Sequence, residues 1–159
     1  MVEATVGRVK ADLAAFGRER GGGPHSHVIL LGLRNLETAA LLKKVEAGLP
    51  YSAFERLRGT MDLSIESLAR LIQLPARTLA RRREAGRLTP DESDRLVRVS
   101  RVFGMTLALF EGDVEAARAW FATPAPALGD RTPLDVSTTE IGAREVENLI
   151  GRLEHGVFT

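Results

Sequence analysis

The sequence of 159 residues predicts an all-α protein: a helix-turn-helix helical domain followed by a small α-helical C-terminal domain. Two observations carry this expectation. From Asn35 onward apolar residues recur at helical spacing, and the runs are opened by Asn, Ser, Thr, Asp or Pro and closed by glycine or proline at short intervals.

In chain order, residues 1–20 can form a helix through Val6, Val9, Leu13 and Phe16, broken by Gly21-Gly22-Gly23-Pro24. Val28 to Leu33 is too short to decide between strand and buried turn, so residues 1–34 are expected as an appendage. The helix-turn-helix domain is expected over 35–111. Its first helix has Asn35 as a possible cap, Leu41, Leu42 and Val45 as a patch, and Gly48 as a stop. A second follows Pro50, presents Phe54 and Leu57, and ends near Gly59. Ser64 caps a third, with Leu63 and Leu68 as a staple and Ile65, Leu68, Ala69 and Ile72 on one face. After Gln73-Leu74-Pro75 a fourth runs to about Ala85, stopped by Gly86. Thr89-Pro90-Asp91-Glu92 is a capping box that opens a long helix to about Glu111. Leu96, Val99, Phe103, Leu107 and Phe110 share one face, widened by Val97, Val102, Met105 and Leu109. Such a helix is a central strut or packs on a second copy.

The C-terminal domain is expected over 112–159. Asp113 caps a short helix closed by Trp120 and Phe121. Pro124, Pro126 and Pro133 then fix torsions, Gly129-Asp130 turns, and Thr132-Pro133-Leu134-Asp135 reads as a capped single turn. Ser137 is the expected cap of the last helix, with Glu140 bonding back and Val136 stapled to Ile141. Gly142, Val146, Leu149, Ile150 and Leu153 form its apolar stripe, with glycine where another backbone comes close. Arg144, Glu145, Glu147, Arg152 and Glu154 lie opposite. His155 sits in the last turn, Gly156 offers a stop, and Val157, Phe158 and Thr159 follow.

Composition narrows the function classes. No apolar run approaches a membrane span of about 20 residues, and no signal-peptide core appears, which points to a cytoplasmic protein without a membrane partner. Zero cysteines exclude disulfides and thiolate metal sites. Enzyme readings lack support. His25, His27 and His155 show no metal-ligand spacing, no phosphate-binding loop is present, and Glu145 and Glu147 point to different sides of their helix. No cofactor is expected. Charge is uneven, +6 over residues 1–101 and −5 over 102–159, so the first part suits nucleic acid and the second a basic protein surface. Solvated faces on an ordinary domain explain the same charges.

The stretch 64–85 has the form of a helix-turn-helix, with Ala69 at the crossing and Leu79 inward, although Leu74-Pro75 stands where glycine is common. With Leu79 on the core, 100° per residue puts Arg77 and Arg81 outward, Thr78 and Arg82 beside them, and turns Arg83 back. Arg77 and Arg81 suit guanine edges or phosphates, Thr78 a phosphate, and Arg70 and Arg87 backbone contacts. An arginine-rich solvated helix is the plainer alternative.

From about residue 35 the chain resembles the Xre/MbcA/ParS antitoxins, most specifically in PAPALGDRTPLD and LIGRLEHGVF. The resemblance implies an antitoxin of a type II toxin-antitoxin system that binds its own promoter as a homodimer. It implies a partner toxin, a RES-domain protein that degrades NAD, obstructed by the C-terminal helix and tail. The positions so implied are Arg152, Glu154, His155, Gly156, Val157 and Phe158. Physically, Phe158 suits a pocket and Glu154 an arginine; alternatively, the tail folds back on its own core. A free-standing regulator that uses its C-terminal domain only to dimerise is the competing function.

Overall fold

The computed structural model describes residues 2–19, 25–34 and 37–156, and among these every regular element is helical. In order they are α1 (Val2–Glu19), a 3₁₀ segment (Ser26–Leu31), α2 (Thr38–Ala47), α3 (Tyr51–Met61), α4 (Ile65–Leu71) and α5 (Ala76–Ala85). Then come α6 (Pro90–Leu109), α7 (Val114–Phe121), a 3₁₀ turn (Pro126–Leu128), α8 (Pro133–Val136) and α9 (Glu140–Glu154).

The strut is α6. Thr89 Oγ1 accepts from the Glu92 amide at 3.3 Å, and the Thr89 amide donates to the Glu92 carboxylate at 2.9 Å, completing the expected capping box. Leu96, Val99, Val102, Phe103 and Leu107 are buried, and α2, α3, α7, α9 and the Ser26–Leu31 segment all pack on this helix. Burial over so much of its circumference explains why it is apolar on more than one face.

Residues 2–19, expected as an appendage, lie on this body. Phe16 is buried in the core, and α1 packs on α3 and on the 3₁₀ segment. That segment resolves the ambiguity at Val28: it is neither strand nor loose turn but a tight helical turn with Val28, Leu30 and Leu31 buried, ended by Gly32 at φ 78°. A short apolar run with no periodicity takes whichever geometry its surroundings fill, and here it plugs the space between α1, α3 and α6. The possible cap Asn35 lies outside the described residues; α2 begins after Glu37, and its patch keeps Leu41 while Leu42 is exposed.

The break between α4 and α5 is a Schellman turn. The Leu74 amide bonds to Ala69 O at 2.8 Å and the Gln73 amide to Arg70 O at 3.0 Å. Gln73 takes the left-handed conformation, φ 55°, that glycine usually supplies.

At α9 the expected cap is corrected. Thr139, not Ser137, caps the helix, its Oγ1 accepting from the Gly142 amide at 3.0 Å. Ser137 is buried and donates its hydroxyl to Pro133 O at 2.7 Å, closing α8 instead. The staple is also absent, since Ile141 is 79% exposed. The stripe of Gly142, Val146, Leu149 and Ile150 is buried, and a methyl added at Gly142 would run into Val136 O.

Candidate functional site

Two surfaces carry the candidate residues. The first is α5, which buries only Leu79 and is therefore exposed along most of its length. Arg77 and Arg81 are exposed on the side away from Leu79; Thr78 lies between, its hydroxyl 3.4 Å from Arg81 Nη2. Arg70 is exposed on α4, across the turn. Glu84 is exposed three residues after Arg81, so the outward face is basic at its N-terminal half and mixed at its end.

The other arginines of α5, and Arg87 just after it, are committed to the fold. Arg82 Nε reaches both oxygens of buried Glu92, at 3.1 and 2.9 Å. Burial pulls the Glu92 carboxyl upward, but Arg82 and Thr89 together outweigh it and hold it below its usual value. Arg83 turns back, its Nε 3.4 Å from Tyr51 Oη and its guanidinium 5.8 Å from the Tyr51 ring centre. Arg87 donates to Gly48 O at 2.6 Å and Ala47 O at 3.2 Å, beside a bridge between Pro50 and Arg87. The structure thus brings Arg77, Thr78 and Arg81 together and gives Arg82 and Arg87 partners within the chain.

The second surface is the outward side of α9. Ile141, Arg144, Glu145 and Asn148 are exposed, as are Glu154, His155 and Gly156 at its end, while Arg152 is half-buried. Val157 and Phe158 lie outside the described residues. Glu147 is not free: Arg101 Nε holds it at 2.6 Å, and Glu140 takes Arg98 at 3.5 Å and Arg144 at 3.2 Å. A shallow groove lined by Glu147, Asn148, Gly151, Arg152 and His155 follows the last two turns.

These cross-links between α6 and α9 are what sequence reading missed. A signal existed. Arg95, Arg98 and Arg101 stand three apart among the apolar residues of the middle of α6, and Glu140 and Glu147 stand seven apart, so each set shares a side. His25 and His27 also prove structural. His25 Nε2 is 2.9 Å from Thr38 Oγ1, and His27 is buried, its pKa lowered to about 4 by loss of water and then by His25 and Arg101.

Residues 40–101 match the family model of the Antitoxin Xre-like helix-turn-helix domain, and residues 106–156 that of the Antitoxin Xre/MbcA/ParS C-terminal toxin-binding domain. Antitoxin Xre of Yersinia enterocolitica is 38% identical over 130 residues, 81% of this chain and 88% of the relative. Antitoxin Xre of Photorhabdus laumondii is 33% identical over 138 residues, 86% and 83% of the two chains. A third protein of that name, from Pseudomonas putida, is 36% identical over 84 residues, 52% of each. With an exposed arginine pair on a helix-turn-helix unit and a separate helix presented beside it, the chain belongs to the Xre antitoxin family, the antitoxin half of a toxin-antitoxin pair.

Proposed function

We propose that the chain neutralises a RES-type toxin that degrades NAD, by laying the end of α9 and the tail after it across the mouth of the toxin's active site. Arg152, Glu154, His155, Gly156, Val157 and Phe158 form that plug. The observation that carries the reading is the asymmetry of α9: its inner stripe is buried to the last apolar residue before Gly151, while Glu154, His155 and Gly156 project free of the core. A site built to bind the phosphates of a dinucleotide is basic, and Glu154 meets it with the opposite charge. The net −5 of residues 102–159 favours the same encounter.

The other half represses its own operon in the cytoplasm. Arg77, Thr78 and Arg81 read or grip operator DNA, Arg70 adds a backbone contact, and Arg82 and Arg87 support the helix rather than touch DNA. As a homodimer the chain places two such helices roughly 34 Å apart, or a multiple of that, on a two-fold operator.

Co-expression with the product of the adjacent reading frame tests the first half. The full chain restores growth and cellular NAD, and a chain ending at Gly151 does not. Equal rescue by both chains removes the plug; a harmless neighbour removes this toxin class and leaves the free-standing regulator.

A further inference from the structure

We propose that Gln73 is a positioning residue through which the C-terminal unit holds the N-terminal end of the recognition helix in place. The inference rests on α5 being the DNA-reading helix and adds what orients it. Leu79 is the one buried side chain of α5, so the pose of its exposed arginines depends on how its two ends are pinned. The C-terminal end is fixed by Arg82 on Glu92, Arg83 on Tyr51 and Arg87 on the α2–α3 loop. At the N-terminal end, nearest Arg77, the pins are different.

There the turn is held from outside by two consecutive residues. Ile72 O accepts from Arg95 Nε of α6 at 2.6 Å. Gln73 Nε2 donates across 65 positions to Thr138 O at 2.9 Å. The same carbonyl accepts from Arg98 Nη2 at 3.4 Å, and Arg98 also meets Glu140 at 3.5 Å. Thr138 precedes the α9 cap Thr139, so the carbonyl that Gln73 grips is fixed to the first turn of α9. Glycine would satisfy the left-handed backbone at position 73 more easily, but it has no amide to reach Thr138. Arg98 is 8% exposed and cannot touch DNA itself, which separates an effect on pose from an effect on contact.

The test uses the full chain and a fluorescent duplex from its own promoter, with Gln73→Met, Gln73→Gly, Arg98→Met and the Gln73→Met/Arg98→Met double variant. One solvent-exposed hydrogen bond leads us to expect about two- to fivefold weaker binding for Gln73→Met. Gln73→Gly should lose as much although its melting temperature is equal or higher, because glycine adopts φ 55° without strain. A merely structural role would move affinity and melting temperature together. Arg98→Met should weaken binding in the same direction, and the double variant should fall short of the summed losses, since both donors serve one acceptor.

Wild-type affinity in both Gln73 variants overturns the proposal, as does a Gln73 loss with Arg98→Met at wild-type affinity or with the two losses fully additive, either of which would mark a direct DNA contact. Hydrogen exchange without DNA separates the tie from the DNA reading. The Leu74 and Leu79 amides should exchange about two- to fivefold faster in Gln73→Met. Unchanged exchange refutes the tie whether or not the chain binds the duplex. Faster exchange in Gln73→Met, found together with a wild-type chain that ignores its promoter, refutes the DNA role, and with it the positioning claim, while leaving the tie itself.

Discussion

Arg77 and Arg81 differ from Arg82, Arg83 and Arg87 in what their guanidinium groups already hold. The first two have no acidic partner among the described residues, whereas the other three bond Glu92, Tyr51 and two backbone carbonyls. Arg77→Ala and Arg81→Ala are therefore expected to weaken promoter binding by about tenfold each, with the salt dependence shallower by about one charge per variant that grips a phosphate. Arg87→Ala should instead lower the melting temperature and leave the salt dependence nearly unchanged. His27 supplies a pH effect. It is neutral in the fold until about pH 4, whereas the unfolded chain takes the proton near its ordinary 6.5. The resulting stability is complete above pH 6.5 and is lost as pH falls toward 4. Asp12 acts with the opposite sign: burial raises its carboxyl against Arg56 and Arg8, so its contribution is present at low pH and lost as pH rises through the raised value. His27→Leu should flatten the decline in melting temperature between pH 6.5 and 4; an unchanged slope would place that decline elsewhere.

Among the elements, α9 shows both how much the chain spells out and where local rules compete. Its apolar stripe and its close approach at Gly142 were legible from spacing alone, because 3.6-residue periodicity decides which face is buried. Its first residue was not. Ser137 and Thr139 both have cap chemistry, and the choice falls to Thr139 because α8 ends at Val136 and takes the Ser137 hydroxyl for its own carbonyl. The glycine-free turn before α5 and the plug at Val28 were ambiguous for a related reason: each is settled by partners far along the chain, Thr138 for one and α6 for the other. Gly142→Ala tests the stripe. The new methyl meets Val136 O, so the variant should lose about 1–3 kcal/mol in denaturant unfolding. Ile141→Ser, one position away and exposed, should change stability by less than about 0.5 kcal/mol. Similar losses in both would mean that α9 packs by a different face.

At the scale of the whole molecule, one strut carries both proposed surfaces. Helix α5 is tied to α6 through Arg82, and α9 through Arg98 and Arg101, while α1 and the Ser26–Leu31 segment pack around the same core. The opposite net charges, +6 over residues 1–101 and −5 over 102–159, suit the two partners proposed above, an anionic duplex for the first part and a basic protein surface for the second. The proposed plug is tested by NAD hydrolysis by the purified product of the adjacent reading frame, titrated with the full chain and with the chain ending at Gly151. Full inhibition near one equivalent per active site is expected from the full chain and little from the shortened one, although the buried stripe through Ile150 is intact. Equal inhibition by both chains, or none by either, would contradict it.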